Sequence, residues 1–149
     1  RNMLKGIGQQ MKWSVRDESL HSKMGCKLYR DMCAENNQLK DLCKADIIKA
    51  AETMVDLEYK YIDKMFEMGD IEGIKSNDLK HFIKKRTNEK LVELGYVDLG
   101  NYFAYDEKAA SNLDWFYHLT GGVTHTDFFA IRPTDYSKAN EGEDFEDIW

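Results

Sequence analysis

The residues of this chain best suited to chemistry are a carboxylate and an imidazole three positions apart. They are Glu18 and His21, within Arg16-Asp17-Glu18-Ser19-Leu20-His21. On an α-helix, side chains three or four apart share one face, so the two can converge on a single small ligand. Carboxylate oxygen and imidazole nitrogen together suit a divalent first-row metal ion. Glu-x-x-His is also half of a donor set found inside metal-binding four-helix bundles. The same spacing occurs as a plain hydrogen-bonded pair on a half-exposed face, so the surrounding pattern has to decide between them.

Successive helical turns of that segment pass through Ile7, Met11, Ser14, Glu18, His21, Gly25, Leu28 and Met32, at alternating intervals of four and three. This is one continuous stripe. Its apolar members predict that the stripe faces the interior and carries Glu18 and His21 inward. An ionised carboxylate buried there is costly unless a cation compensates it, and a shared metal ion would do so. Gly25 leaves room for a close approach to the helix, and no proline interrupts the segment.

The elements that must position this pair are helical. A chain of 149 residues is long enough for one domain with a real core. With 42% hydrophobic residues, 32% charged and a single proline, Pro133, it reads as long helices with solvated outer faces. Helix one is predicted from near Met3 to about Ala34, with Asn36 and Asn37 as the break. Helix two should span Gln38 to Met68, its inner face formed by Ile48, Ala51, Val55, Tyr59, Ile62 and Phe66, with Gly69-Asp70 ending it. Helix three should begin at a cap on Ser76 or Asn77 and continue to Leu94, stopping at Gly95. Leu79, Phe82, Ile83, Leu91 and Leu94 would face inward from it. Beyond Tyr96 the periodicity weakens and aromatics dominate, which predicts short helices and turns. The fold class expected is an all-α bundle.

Charge and cysteine content narrow the function. Residues 135–149 hold six acids against Lys138, a net of −5, so the other 134 residues carry only −1 of the total −6. A nearly neutral body with an acidic arm argues against nucleic-acid binding and for contact with another protein. No stretch approaches a membrane span, and no signal peptide is visible. Cys26, Cys33 and Cys43 lack CxxC spacing and read as reduced thiols of a cytoplasmic protein. The chain starts on Arg1 with its apolar register already running, so it is expected to be part of something larger.

Three ordered motifs identify a resemblance. Lys5-Gly6-Ile7-Gly8-Gln9 leads into Arg16-Asp17-Glu18-Ser19-Leu20-His21. Gly121-Gly122-Val123-Thr124-His125-Thr126-Asp127-Phe128-Phe129 follows, and then Arg132-Pro133-Thr134-Asp135-Tyr136-Ser137-Lys138 before an acidic, aromatic-ending tail. Together they resemble the C-terminal portion of the small, radical-generating subunit of class I ribonucleotide reductases, over essentially the whole chain.

The resemblance implies a ferritin-like bundle holding two metal ions, normally iron, which react with dioxygen and oxidise a nearby tyrosine. The radical equivalent then passes to the large subunit, where ribonucleotides become deoxyribonucleotides. It implies Glu18 and His21 as metal ligands on the last ligand helix. Asp17 would be the carboxylate that orients a metal-bound histidine of a neighbouring helix. Arg16 either helps neutralise the carboxylates or forms an ordinary surface ion pair. Tyr136 matches the tail tyrosine that relays the radical, and Phe145, Ile148 and Trp149 match the segment that docks on the large subunit. Residues 1–134 would then be the C-terminal part of the bundle domain and 135–149 its docking tail. A small-subunit homodimer is implied as well.

Two departures matter. The chain holds one Glu-x-x-His, whereas the bundle site needs a second and two further carboxylates. The missing ligands and the radical-bearing tyrosine are therefore expected upstream of Arg1, on the same polypeptide or on an N-terminal part that is a separate chain. Asp78-x-x-His81 is only an imitation, since Asp78 sits at a helix start. The family also carries a glutamate where this chain has Ala130, which puts proton handling or interface positioning in doubt. The sequence thus supports an enzyme component, with a non-catalytic helical module that keeps the docking tail as the alternative. The donor types accept iron, manganese or a mixed Mn/Fe pair.

Overall fold

The computed structural model describes residues 5–69 and 71–115. Four α-helices form the described chain: α1 (Lys5–Glu35), α2 (Leu39–Phe66), α3 (Ser76–Glu93) and the short α4 (Glu107–Ser111). A 3-10 turn at Val97–Leu99 links α3 to α4. Among the described residues the only extended pairing is an isolated antiparallel bridge between Ile71 and Ile74. The all-α expectation holds, and the predicted helix boundaries lie within two residues of those observed.

The break between α1 and α2 falls at Asn36-Asn37. The Asn36 side-chain oxygen accepts from the Gln38 amide at 3.2 Å, and its carbonyl accepts from Leu39 at 3.0 Å. Such local side-chain bonds compete with the helical ladder, which is why asparagine marks the turn. On α2 the expected inner face is seen: Val55 and Ile62 are buried, and Ile48, Ala51, Tyr59 and Phe66 are half-buried. The start of α3 differs from expectation. Lys75 holds the cap position in an extended conformation without a side-chain bond, and Ser76 is already helical. Here the entry is shaped by the tight Ile71–Ile74 turn, and no hydroxyl cap forms.

The end of α3 is sharply defined. Gly95 lies at φ +104°, its amide donates to Val92 at 2.9 Å, and the Tyr96 amide reaches back to Leu91 at 3.0 Å. This pair of bonds closes the last turn in the left-handed stop that glycine favours. Leu91 and Tyr96, which that turn brings together, form the centre of the core with Leu99. Tyr29 of α1, Ile47, Ile48 and Ala51 of α2, Leu94, and Phe103 surround them, so all three long helices meet at this point. Arg30 of α1 donates to the carbonyl of Glu93, adding a cation at the helix C-terminus. A Cβ on residue 95 would meet only Arg30 methylenes at 3.7 Å and 3.9 Å, so crowding is no obstacle there. Gly95→Ala is thus expected to cost about 1–2 kcal/mol from the backbone alone. An unchanged denaturation midpoint would show that the left-handed turn is not required.

Asn88 holds the irregular segment after the 3-10 turn at Val97–Leu99 against α3. Although only 2% exposed, its amide donates to the Phe103 carbonyl at 2.9 Å and its oxygen accepts the Phe103 amide at 3.0 Å. Both polar ends are satisfied, which removes the penalty of burying them. Asp106 then caps α4 by accepting from Lys108 and Ala109. Lys85 bonds Glu107 at 2.8 Å, and this cation, with the Tyr105 phenol, holds the Glu107 carboxyl below its ordinary range. Ala109, Ala110 and Leu113 are buried at this end.

Candidate metal centre

Glu18 and His21 lie in the middle of α1, a 31-residue helix with no internal break. The structure brings the pair together as their spacing requires. Glu18 Oε2 is 3.5 Å from His21 Nδ1, and Asp17 Oδ1 is 3.9 Å from His21 Nε2. A carboxylate thus sits near each ring nitrogen. Ser19, between them in sequence, turns its hydroxyl back to the Val15 carbonyl at 2.7 Å.

The expected burial is not observed. The Glu18 side chain is 73% exposed and that of His21 60%. Ile7, Met11, Leu28 and Met32 of the same stripe are exposed too, and a Cβ on Gly25 would meet nothing within 4 Å. Periodicity identifies which residues share a face, but what covers that face lies elsewhere. α1 is anchored through its C-terminal part, where Cys26 is buried, Arg30 reaches α3 and Tyr29 meets Tyr96. Toward its N-terminus the striped face is open.

The donor chemistry nevertheless fits a metal ion. Two side chains with carboxylate and imidazole donors stand on one helical face, 3.5 Å apart and open to solvent. Among the described residues there is no group of three or more His, Cys, Asp or Glu side chains that could hold a metal. Asp17, expected to reach a histidine of another helix, here lies 3.9 Å from His21 of its own helix. Tyr136, Phe145, Ile148, Trp149 and Ala130 lie outside the described residues, as does the boundary between 134 and 135.

Other candidates resolve into structural roles. Asp78 accepts from the Asn112 amide at 2.9 Å, and His81 Nδ1 accepts from the Asp106 backbone at 3.0 Å. This pair therefore ties α3 to the α4 region. All three cysteines are free thiols. Burial pushes the Cys26 thiol up, which disfavours the reactive thiolate. No helix of the described residues is long and apolar enough to cross a membrane.

The core also holds a hydrogen-bonded tyrosine pair. The Tyr29 and Tyr96 hydroxyls are 2.6 Å apart, and Tyr96 donates to the Lys40 carbonyl at 2.8 Å. Tyr29 is then the donor to Tyr96. Burial first, and the Tyr96 bond second, push the Tyr29 phenol above its ordinary value. A tyrosine just after a helix-ending glycine was the only sequence signal for this contact.

Comparison with known proteins places the chain. It is 31% identical over 140 residues to a probable ribonucleoside-diphosphate reductase small subunit of Invertebrate iridescent virus 3, covering 93% of this chain and 36% of that relative. A counterpart in Invertebrate iridescent virus 6 is 27% identical, covering 98% of this chain and 46% of its own length. The ribonucleoside-diphosphate reductase subunit beta of Chlamydia pneumoniae is 23% identical, covering 93% and 38%. The chain thus spans less than half the length of these relatives. No solved structure matches it. The family model described as ribonucleotide reductase, small chain, matches residues 1–102, the helices agree with that family's all-α, ferritin-like fold, and the chain belongs to this family.

Proposed function

We propose that the chain is the metal-ligand and radical-relay part of a ribonucleotide reductase small subunit, working with a large subunit in deoxyribonucleotide formation. The observation that carries this is the half-site on α1: Glu18 and His21 converge at 3.5 Å on an open apolar face. Such a face is suited to receive further helices bearing the remaining carboxylates and the second histidine. Those come from the rest of the small subunit, on the same or a separate polypeptide. Glu18 and His21 would hold the metal pair, iron or manganese, and Asp17 would orient a ligating imidazole. When bound, the metals supply the oxidising power that places a radical on a tyrosine.

Tyr136 would pass that oxidising equivalent onward, because a phenol can give up a proton and an electron together. Phe145, Ile148 and Trp149 would anchor the tail on the large subunit while the surrounding acids steer the encounter. The reaction's setting is the cytoplasm. Ala130, in place of the family's glutamate, favours a second reading, a non-catalytic helical module that retains the docking tail.

Two measurements separate these readings. Mixing the chain with the polypeptide that supplies the remaining ligands, then adding ferrous iron under air, is expected to give ferric absorption and a tyrosyl radical signal. Iron uptake that does not depend on this chain would leave the non-catalytic module. Separately, removing Glu143–Trp149 is expected to weaken large-subunit binding about tenfold or more while sparing metal loading. Unaltered binding would defeat the docking role.

A further inference from the structure

The cations of α1 share one side of the helix. Its six lysines and arginines are Lys5, Lys12, Arg16, Lys23, Lys27 and Arg30, spaced 7, 4, 7, 4 and 3 residues apart. At about 100° per residue these positions fall within a single arc of about 60°. The four acids of the helix, Asp17, Glu18, Asp31 and Glu35, all lie outside that arc. Glu18 and His21 occupy the opposite side, so the basic stripe is separate from the half-site. Arg16, Lys23, Lys27 and Arg30 are exposed. Lys27 pairs with Asp31 and Arg30 with the Glu93 carbonyl, whereas Arg16 and Lys23 have no ion-pair partner among the described residues. Trp13, Leu20 and Met24 run beside the stripe and are exposed as well. A row of cations next to a row of large apolar side chains is a surface shaped for an acidic, apolar-anchored segment.

We propose that this surface holds the acidic arm of the same polypeptide, residues 141–149, which lie outside the described residues. The arm reads Glu141-Gly142-Glu143-Asp144-Phe145-Glu146-Asp147-Ile148-Trp149, with five acids and no cation. Each class of group on α1 has its complement there. Carboxylates answer Arg16 and Lys23, and Phe145, Ile148 and Trp149 answer Trp13, Leu20 and Met24. The lengths agree as well: Trp13 to Arg30 is about 25 Å along α1, and nine extended residues span about 30 Å. Reach is not limiting, because the chain between Trp115 and Glu141 can extend about 90 Å. Charge and tethering favour the arm over a foreign polyanion. The chain's net charge of −6 repels an outside anion, whereas the arm is held near α1 at high local concentration by the linking residues. An arm bound to α1 is withheld from any other protein until that protein displaces it.

The contact is read on the chain by itself, so it stands or falls separately from metal loading and large-subunit docking. Zero-length carbodiimide coupling joins only amines and carboxylates already in contact, and peptide mass spectrometry locates the products. An equal mixture of isotope-labelled and unlabelled full chain tells coupling within one chain from coupling between two. The expected products are amide bonds from Lys23 and Lys27 to Glu143, Asp144, Glu146 or Asp147 of the same chain. Their yield is expected to fall as salt is raised to about 0.5 M. Arg16→Glu combined with Lys23→Glu is expected to lower the Lys27 product about fivefold. Both positions are exposed, so the helical circular dichroism spectrum of that variant is expected to be unchanged. Absence of any product between the arm and α1 overturns the proposal. So does a product spread evenly over Lys49, Lys60 and Lys108, or a Lys27 yield indifferent to the double substitution. Products that join labelled to unlabelled chains as often as like to like overturn it too, since a second copy would then hold the arm.

Discussion

Tyr96→Ala is expected to remove about 3–5 kcal/mol of stability, a large share of what holds a domain of this size together. Tyr96 is 1% exposed and packs with Leu91 and Leu99 where α1, α2 and α3 converge. Truncating the ring opens a cavity at that junction. It also removes the hydroxyl that bonds the Tyr29 hydroxyl and the Lys40 carbonyl. Each lost bond adds about 1 kcal/mol. Tyr96→Phe separates the contributions. It keeps the ring and loses only the hydroxyl, so its cost is expected near 1–2 kcal/mol. Urea unfolding of both variants measures the difference. Equal losses for alanine and phenylalanine would mean that the ring contributes little and that the hydroxyl network alone joins the helices.

How much of this was legible in the sequence depends on what kind of information each feature needs. Asn36-Asn37 and Gly95 announced helix ends because a side-chain bond to the local backbone and a left-handed φ are properties of single residues. The inward face of α2 was legible because its cover, α3 and the turn after it, lies in the same chain. The α1 stripe obeys the same periodicity, yet it is exposed. A helical period says that Ile7, Met11, Glu18 and His21 share a side, and the described chain does not cover that side. Asn88 was not legible because asparagine is ordinarily a surface or turn residue, and only the position of Phe103 makes it a buried clamp. The expected cap at Ser76 or Asn77 failed for a related reason: residue type favoured it, and the geometry of the preceding turn did not. The proximity of Glu18 and His21 was legible because residue type and spacing are written directly in the chain.

In the assembled small subunit, Glu18→Ala and His21→Ala are each expected to lower metal affinity by more than the 10–100-fold typical of losing an orienting partner. Asp17→Ala is expected to fall within that 10–100-fold range, because its carboxylate would position a ligand without binding the ion. The side chains of Glu18, His21 and Asp17 are 73%, 60% and 67% exposed in the chain by itself. Their replacement is therefore expected to change its folding stability by no more than about 0.5 kcal/mol. That contrast is the useful part of the experiment. A structural role would show as a lower unfolding midpoint of the chain, whereas a ligand role shows only as lost metal and a lost radical signal after assembly. Metal content and the radical signal, followed in parallel with chain stability, give both readouts from the same preparations. If Glu18→Ala and His21→Ala assemble with metal content equal to the unsubstituted protein, the two side chains are a surface pair, and the open face of α1 serves helix packing alone.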